Sequence, residues 1–361
     1  MEIEGVAAIP DLDRWLADHN LTGAWNRGAA RGEPQAYPTY PPFPTYPPFL
    51  WKWADVHEAL MRVGPVLDRN PELASKMAGY KHFGLNHPGL PPGITPTINV
   101  GAQVLMPGEL GEARRHMQAE FRFILKGSPG AYAVVEGERF PMEDGDLLAT
   151  PAWSWYDWAN EGDEPVYWLN AGDITLTRLA YRFREVHPQR RQPVDKHSGY
   201  WDRMLSPARP SWIEHELPTP PTRYPWAQTL TALEALRGSR RDPDPFDGYV
   251  LMFPHPLTGG PTSPTLAFEA QLLPPGLKTQ AHRHNSTTRY HVVRGAGVTV
   301  VEGEWLEWAE KDCFIVPPWC WHQHQNLASE DAILLSVTDR PIMQALEFYR
   351  EQSQGLTKGG S

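Results

Sequence analysis

Three histidines hold most of the chemical promise in this 361-residue chain. His282 and His284 flank Arg283, and His322 follows 38 residues after His284 in the run PPWCWHQHQN. Side chains two apart on an extended strand point to the same face, so His282 and His284 can converge on one interior point, and a third imidazole from a later strand closes the triangle. Neutral imidazoles suit Fe, Zn, Cu and Ni, and a set of three leaves coordination positions open for substrate or O2. A single histidine reads as an ordinary core or surface residue. Three at this spacing read as a metal site.

The elements that must carry these residues announce themselves by repetition. Residues 97–160 and 265–326 match: Gln103 with Gln271, Pro107 with Pro275, Gly108 with Gly276 and His116 with His284 at an offset of 168. After a two-residue gap near Pro129 the offset becomes 166, pairing Gly137 with Gly303, Asp146 with Asp312, Pro151 with Pro317, Trp155 with Trp321 and Asn160 with Asn326. Each unit is a series of short β-rich runs (VVEG, LLATP, FIVPP) punctuated by Gly and Pro turns, the signal for an antiparallel barrel or sandwich. The expectation is an all-β core of two homologous barrels in one chain. Helical spacing is expected over 11–25, 55–67 and 227–237. The Pro- and aromatic-rich run 33–49 reads as an extended arm on its own barrel or on a neighbouring subunit, with a Pro-recognition ligand as the competing reading.

Composition removes several function classes. A net charge of −10 argues against a phosphate-tracking surface for nucleic acid, and no 18-residue apolar run offers a membrane span. Two cysteines cannot build a disulfide framework, and the N-terminus lacks a signal peptide's basic start and apolar core, so the cytoplasm is the expected location. The 38 prolines and 15 tryptophans disfavour a helical bundle and suit turn-rich strands around aromatic-lined cavities.

The second repeat resembles the cupin superfamily, whose motifs have the forms G-x5-H-x-H-x3,4-E-x6-G and P-x-G-x2-H-x3-N. Gly276, His282, His284 and Gly295 fill the first, and Pro317, His322 and Asn326 the second, with Trp319 at the usual Gly. Thr287, Thr288 and Arg289 occupy the region of the missing carboxylate, which sets this chain apart from cupins that keep a fourth, acidic ligand. The resemblance implies a bicupin: two double-stranded β-helix (jelly-roll) barrels with a few peripheral helices. The expected organisation is an N-terminal arm and start of barrel one over 1–96, cupin barrel one over 97–186, and a linker with a helix over 187–245. Cupin barrel two follows over 246–345, with a tail over 346–361.

Runs along nearly the whole chain, among them FLWKWADVHEAL (49–60), LNHPGL (85–90), TINVGAQVLMPGE (97–109), TPAWSWYDWANEG and HPLTGG (255–260), resemble the bicupin ring-cleaving dioxygenases acting on gentisate, salicylate and 1-hydroxy-2-naphthoate. That resemblance implies Fe(II) on three histidines, O2 and a small aromatic carboxylate as reactants, and cleavage of the ring to an open-chain dicarboxylate. It also implies a homo-oligomer, a tetramer foremost. Members commonly carry iron in the first barrel, whereas here two of the three equivalent positions are Arg114 and Tyr156, with His116 the third. Barrel one is therefore expected to be metal-free, with Arg114 placing a fixed positive charge where an ion's charge would be. A second substrate pocket at Arg114 and Tyr156 is the competing reading.

Further roles attach by position. His324 lies two residues beyond His322, and the resemblance makes it a substrate hydrogen-bond partner or proton shuttle. Gln271 stands where members place a substrate-contacting Gln, or is simply a bonded strand residue. Arg289, five residues past His284, can bind a substrate carboxylate bidentately or be an exposed strand residue. Trp319 and Trp321 can wall an aromatic pocket or serve core packing. His291, Cys313 and Cys320 read as packing residues. The alternatives to ring cleavage are a metallo-cupin catalysing another oxidation or a non-oxidative Zn or Ni reaction, and a non-catalytic small-molecule-binding bicupin.

Overall fold

The computed structural model describes residues 9–19, 46–70, 72, 79–90, 95, 97–177, 183–206, 208–213, 219–239 and 241–354. Residues 20–25 of the first expected helix, most of the Pro-rich arm, part of the linker and the end of the tail lie outside them. The chain divides into a unit over 1–44 and one over 45–361. In the first, helix α1 spans Ile9–Asp18. Everything below concerns the second.

Its strands form four sheets, two per cupin repeat. Repeat one builds a six-stranded sheet in the order β12 (Thr222–Tyr224), β8 (Leu147–Thr150), β5 (Glu120–Lys126), β10 (Val166–Gly172), β3 (Asn99–Leu105), β2 (Lys81–Gly84). Its five-stranded sheet runs β11 (Arg184–Val186), β4 (Leu110–His116), β9 (Tyr156–Asn160), β6 (Ala131–Val135), β7 (Glu138–Pro141). Repeat two copies the first order as β1 (Phe49–Trp51), β19 (Cys313–Val316), β16 (Thr288–Arg294), β21 (Ala332–Thr338), β14 (Ala267–Leu273), β13 (Tyr249–Met252). Its five-stranded partner is β18 (Glu304–Trp308), β17 (Gly297–Val301), β20 (His322–Asn326), β15 (His282–His284), β22 (Glu351–Ser353). This is the expected pair of jelly rolls, with the described strands paired antiparallel.

Local chemistry explains the shape of each turn. The two-residue loops Glu136-Gly137 and Glu302-Gly303 have φ of 47°, 80° and 48°, 87°, the doubly positive pattern that matches the twist of a tight hairpin. Each glutamate also accepts the backbone N–H of a tryptophan at 2.6 Å, Trp155 in one repeat and Trp321 in the other. Trp153 and Trp319 hold φ of 61° and 64°, a left-handed conformation that glycine adopts more cheaply. Compensation comes from cation–π stacking: Arg115 sits 4.7 and 4.6 Å from the rings of Trp153 and Trp155, and Arg283 the same distances from Trp319 and Trp321.

The two six-stranded sheets pack face to face, burying Phe121, Phe123 and Leu169 of repeat one with Phe268, Leu335 and Val337 of repeat two in one core. Phe121 meets Phe268 with ring centroids 4.6 Å apart. Inside repeat one, Tyr156, Trp158 and Trp168 fill the jelly roll, and in repeat two Tyr290, Trp308 and Phe314 do so.

Edge strands are exchanged between the repeats. β1 precedes repeat one yet pairs with β19 of repeat two, whereas β12, from the expected linker, pairs with β8 of repeat one. The helix after each strand returns to the other repeat: α2 (Trp53–Asp68) packs on β2 and β3, and α5 (Trp226–Gly238) on β13 and β14. (Helices α3, Ile174–Thr177, and α4, Tyr200–Met204, are short.) The repeated aspartates fasten these arms. Asp312 accepts the Trp53 N–H at 2.7 Å and pairs with Lys52 at 2.9 Å, and Asp146 accepts the Trp226 N–H at 2.9 Å and pairs with Arg223 at 2.6 Å.

The tail boundary at 346 needs correction. β22, at 351–353, pairs with β15 and completes the sheet that carries the histidines, as β11 does in repeat one. Helix α6 (Arg340–Ala345) leads into it. Among the described residues, no helix is long and apolar enough to cross a membrane.

Candidate metal centre

Strand alternation places His282 and His284 of β15 on the inner face, and β20 brings His322 into register opposite His282. Candidate ligand atoms of the three lie within 4.8 Å of one another, the one such grouping of three or more His, Cys, Asp or Glu among the described residues. All three are buried, His322 to 1% exposure.

Second-nitrogen contacts fix how each ring presents itself. His322 Nδ1 lies 3.0 Å from the Cys320 carbonyl, and His284 Nδ1 lies 2.9 Å from the Ser286 carbonyl. An N–H donated to each carbonyl puts the hydrogen on Nδ1 and leaves the Nε2 lone pair for the centre. His282 stacks on Phe246 at 4.9 Å, and its Nδ1 is 3.8 Å from Glu351 Oε1, a carboxylate on β22. Burial, with His282 nearby, pushes the His284 imidazole down to about 4, and burial likewise holds His322 well below its usual value. Converging buried imidazoles, whose His322 Nε2 and His282 nitrogens have no hydrogen-bond partner among the described residues, are what a soft-to-borderline divalent metal needs.

Beside the histidines is a cavity with about 390 Å³ of empty space, including its open mouth. His282, His284, Gln271, Tyr290, Asp247, Glu269, Arg340, Tyr349 and Glu351 contribute to its wall. Gln271 donates Nε2–H to Asp247 at 2.9 Å, while its Oε1 is buried without a partner. Burial foremost, and then Asp247, pushes the Glu269 carboxyl up to about 7. Among the described residues Arg340 supplies the one Arg or Lys side chain on this wall, 4.9 Å from the Tyr349 ring.

His324 is fully buried next to Tyr290 and Phe314, with its ring 5.9 Å from that of His322. Its Nδ1 is 2.8 Å from Thr299 Oγ1, which accepts the Trp308 indole N–H at 3.0 Å. With that lone pair taken, the Thr299 hydroxyl hydrogen can be donated to Nδ1, which assigns the ring hydrogen to Nε2.

Neither His322 nor His324 is on the cavity wall, and three further expected pocket residues lie elsewhere. Arg289 is separated from His284 by a turn, and on β16 its neighbours Thr288 and Tyr290 face the cavity while it points to the opposite side, toward Trp51. Trp319 and Trp321 stack on Arg283 and are absent from the cavity wall. Sequence reasoning missed Asp247, Glu269, Tyr290, Arg340, Tyr349 and Glu351. Parity from Gln271 and Thr288 identifies Glu269 and Tyr290, whereas the others come from segments with no motif.

The equivalent place in repeat one is built differently. Tyr156 OH accepts the Arg114 Nε–H at 2.7 Å and lies 2.6 Å from His116 Nε2, so the two replacement side chains bond to each other and, through Tyr156, to the retained histidine. The Arg114 guanidinium rests 3.6 Å over the Tyr80 ring, and Trp158 stands where repeat two has His324. Glu120 lies 3.5 Å from His116; burial works to raise its carboxyl, but Arg122 foremost, with His116 and Arg114, holds it far below the carboxylate range.

Comparison with known proteins gives a consistent picture. The Cupin domain model matches residues 101–172 and 270–338. The chain is 37% identical to a gentisate 1,2-dioxygenase of Haloferax sp over 94% of this chain and 95% of that one. It is 39% identical to a 5-aminosalicylate 1,2-dioxygenase of Comamonas sp, covering 84% and 81% of the two chains. It is also 32% identical to a 1-hydroxy-2-naphthoate 1,2-dioxygenase of Nocardioides sp. (strain KP7), covering 98% and 90%. The crystal structure of salicylate 1,2-dioxygenase from Pseudoaminobacter salicylatoxidans superposes with a TM-score of 0.82 at 26% identity, covering 99% of this chain and all of that one. With identity of this extent along almost its whole length, the chain belongs to the bicupin family of ring-cleaving 1,2-dioxygenases.

Proposed function

We propose that this enzyme opens the ring of an aromatic monocarboxylate carrying an adjacent hydroxyl or amino group, using Fe(II) held by His282, His284 and His322 and O2 as co-substrate. The observation that carries the reading is the buried trio of converging imidazoles, with His322 Nε2 and both His282 nitrogens unpartnered among the described residues. Bound Fe(II) supplies a redox-active ion with open positions for substrate and O2. Both oxygen atoms enter the open-chain dicarboxylate product, so no external reductant is required.

The protein's own groups attract and orient the substrate and stabilise charge. Arg340 draws the anionic substrate into the cavity and neutralises its carboxylate. Gln271 Oε1, without a partner among the described residues, accepts a hydrogen from a ring substituent, and Asp247 and Glu269 favour substituents that donate. Burial pushes the His324 imidazole down to about 3, so it stays neutral and its Nε2–H serves as a hydrogen-bond donor to negative charge developing on substrate oxygen. Tyr290, whose phenol burial holds well above its ordinary pKa, remains protonated on the same wall.

In repeat one we propose that Arg114 replaces the ion's charge, leaving one metal per chain. A cytoplasmic homotetramer completes the proposal and is tested by light scattering, which should return four chain masses. The activity test is anaerobic reconstitution with Fe(II), then gentisate, 5-aminosalicylate, salicylate and 1-hydroxy-2-naphthoate in turn on an oxygen electrode. Equimolar O2 and substrate consumption with at least one of them is expected. Iron-loaded protein that consumes O2 with none would overturn the reading.

A further inference from the structure

Away from the histidines, a second hollow, with about 340 Å³ of empty space including its open side, lies between the two six-stranded sheets. It sits where the repeats face each other, so equivalent residues line it from both sides: Phe121 with Arg289, Phe123 with His291, Leu169 with Leu335. At the first pair the internal symmetry breaks, because an apolar ring on one side is answered by a guanidinium on the other.

Arg289 is only 3% exposed, and among the described residues neither its Nη1 nor its Nη2 has a hydrogen-bond partner. Its guanidinium lies 5.2 Å from the Trp51 ring centre and within hydrogen-bonding reach of the Cys313 thiol, a neutral partner that His291 Nδ1 also approaches at 3.4 Å. Among the described residues no Asp or Glu lines the hollow. Guanidinium keeps its proton in proteins, so the charge cannot be shed, and an uncompensated buried charge is strongly destabilising. Water in the hollow can satisfy the N–H groups but brings no charge.

We propose that this hollow is an anion site in which Arg289 binds one small monovalent anion, chloride in the first instance, between the two cupin repeats. The lining selects the class: a single guanidinium among mostly apolar side chains offers one positive charge, which one monovalent anion neutralises. The Nη1 and Nη2 hydrogens supply the charge-assisted bonds, and Phe121, Phe123 and Phe268 give the dry surroundings in which such bonds are strong.

The test uses the full-length metal-loaded enzyme. Melting temperature is followed against chloride at ionic strength held constant with sodium gluconate, whose anion is bulky and strongly hydrated and so is poorly suited to an apolar hollow. A hundredfold rise in chloride above its Kd should raise Tm by about 4 °C, and Arg289→Met should abolish the response. Crystals soaked in bromide should show an anomalous peak within hydrogen-bond distance of the Arg289 Nη atoms, a readout that does not need the variant to fold. A flat chloride response, a response that persists in Arg289→Met, or a hollow containing only water would overturn the proposal. So would a Cys313 thiolate, detected by its ultraviolet absorbance and lost in Cys313→Ser, because the guanidinium would then have its counter-ion within the protein.

Discussion

At the scale of single residues, the second nitrogen of each imidazole decides how firmly the site is held. His284 and His322 lean on backbone carbonyls that substitution cannot remove, whereas His282 depends on a side chain, Glu351, 3.8 Å away. Glu351→Gln should therefore weaken iron binding by about 10- to 100-fold in chelator competition while leaving the fold intact. His324→Gln should do the reverse, keeping iron content while lowering kcat by about two to three orders of magnitude. His291 gives a pH prediction. Burial, reinforced by Arg289, pushes it down to about 3, below its ordinary value of about 6.5 in the unfolded chain, so stability is present above pH 6.5 and is lost as pH falls toward 3. His291→Phe, copying Phe123 of the other repeat, should flatten that acid loss by up to about 1.4 kcal/mol per pH unit in denaturant titrations. Parity along one strand made the metal trio readable from sequence. It failed for Arg289 because the turn at 285–287 separates β15 from β16, and a count of five residues across a turn does not fix a face.

At the scale of elements, the repeats and their hairpins were legible because each residue pair recurs with its own bond, as Glu136 and Glu302 do with Trp155 and Trp321. The exchanged arms were not, since a three-residue edge strand has the same local pattern whichever sheet it joins. What fixes β1 and α2 is Asp312, which receives the first N–H of the helix, the Lys52 ammonium and the Ala309 N–H. Asp312→Ala should cost about 1.5–3 kcal/mol, the range for hydrogen bonds to a charged group, with iron content unchanged. Thermal melts paired with metal analysis check it. The cavity's outer wall was hidden for a related reason: Arg340, Tyr349 and Glu351 follow the last long strand, where periodicity stops and only the pairing of β22 with β15 recruits the chain end.

At the scale of the whole molecule, two copies of one fold have diverged in opposite directions. Repeat two keeps three buried imidazoles whose nitrogens await a metal, and repeat one fills the same place with the bonded set Arg114, His116 and Tyr156. Excess proline and tryptophan serve this plan chiefly through packing: Trp158 and Trp168 fill one interior, Trp308 the other, and Trp319 and Trp321 clamp Arg283. None of these five lines the histidine cavity. The central claim is that catalytic iron belongs to repeat two alone. Iron per chain after anaerobic reconstitution, measured in the wild type and in His282→Ala, tests it most directly. The account predicts close to one iron in the wild type and close to none in the variant; two irons per chain, or iron retained without His282, would contradict it.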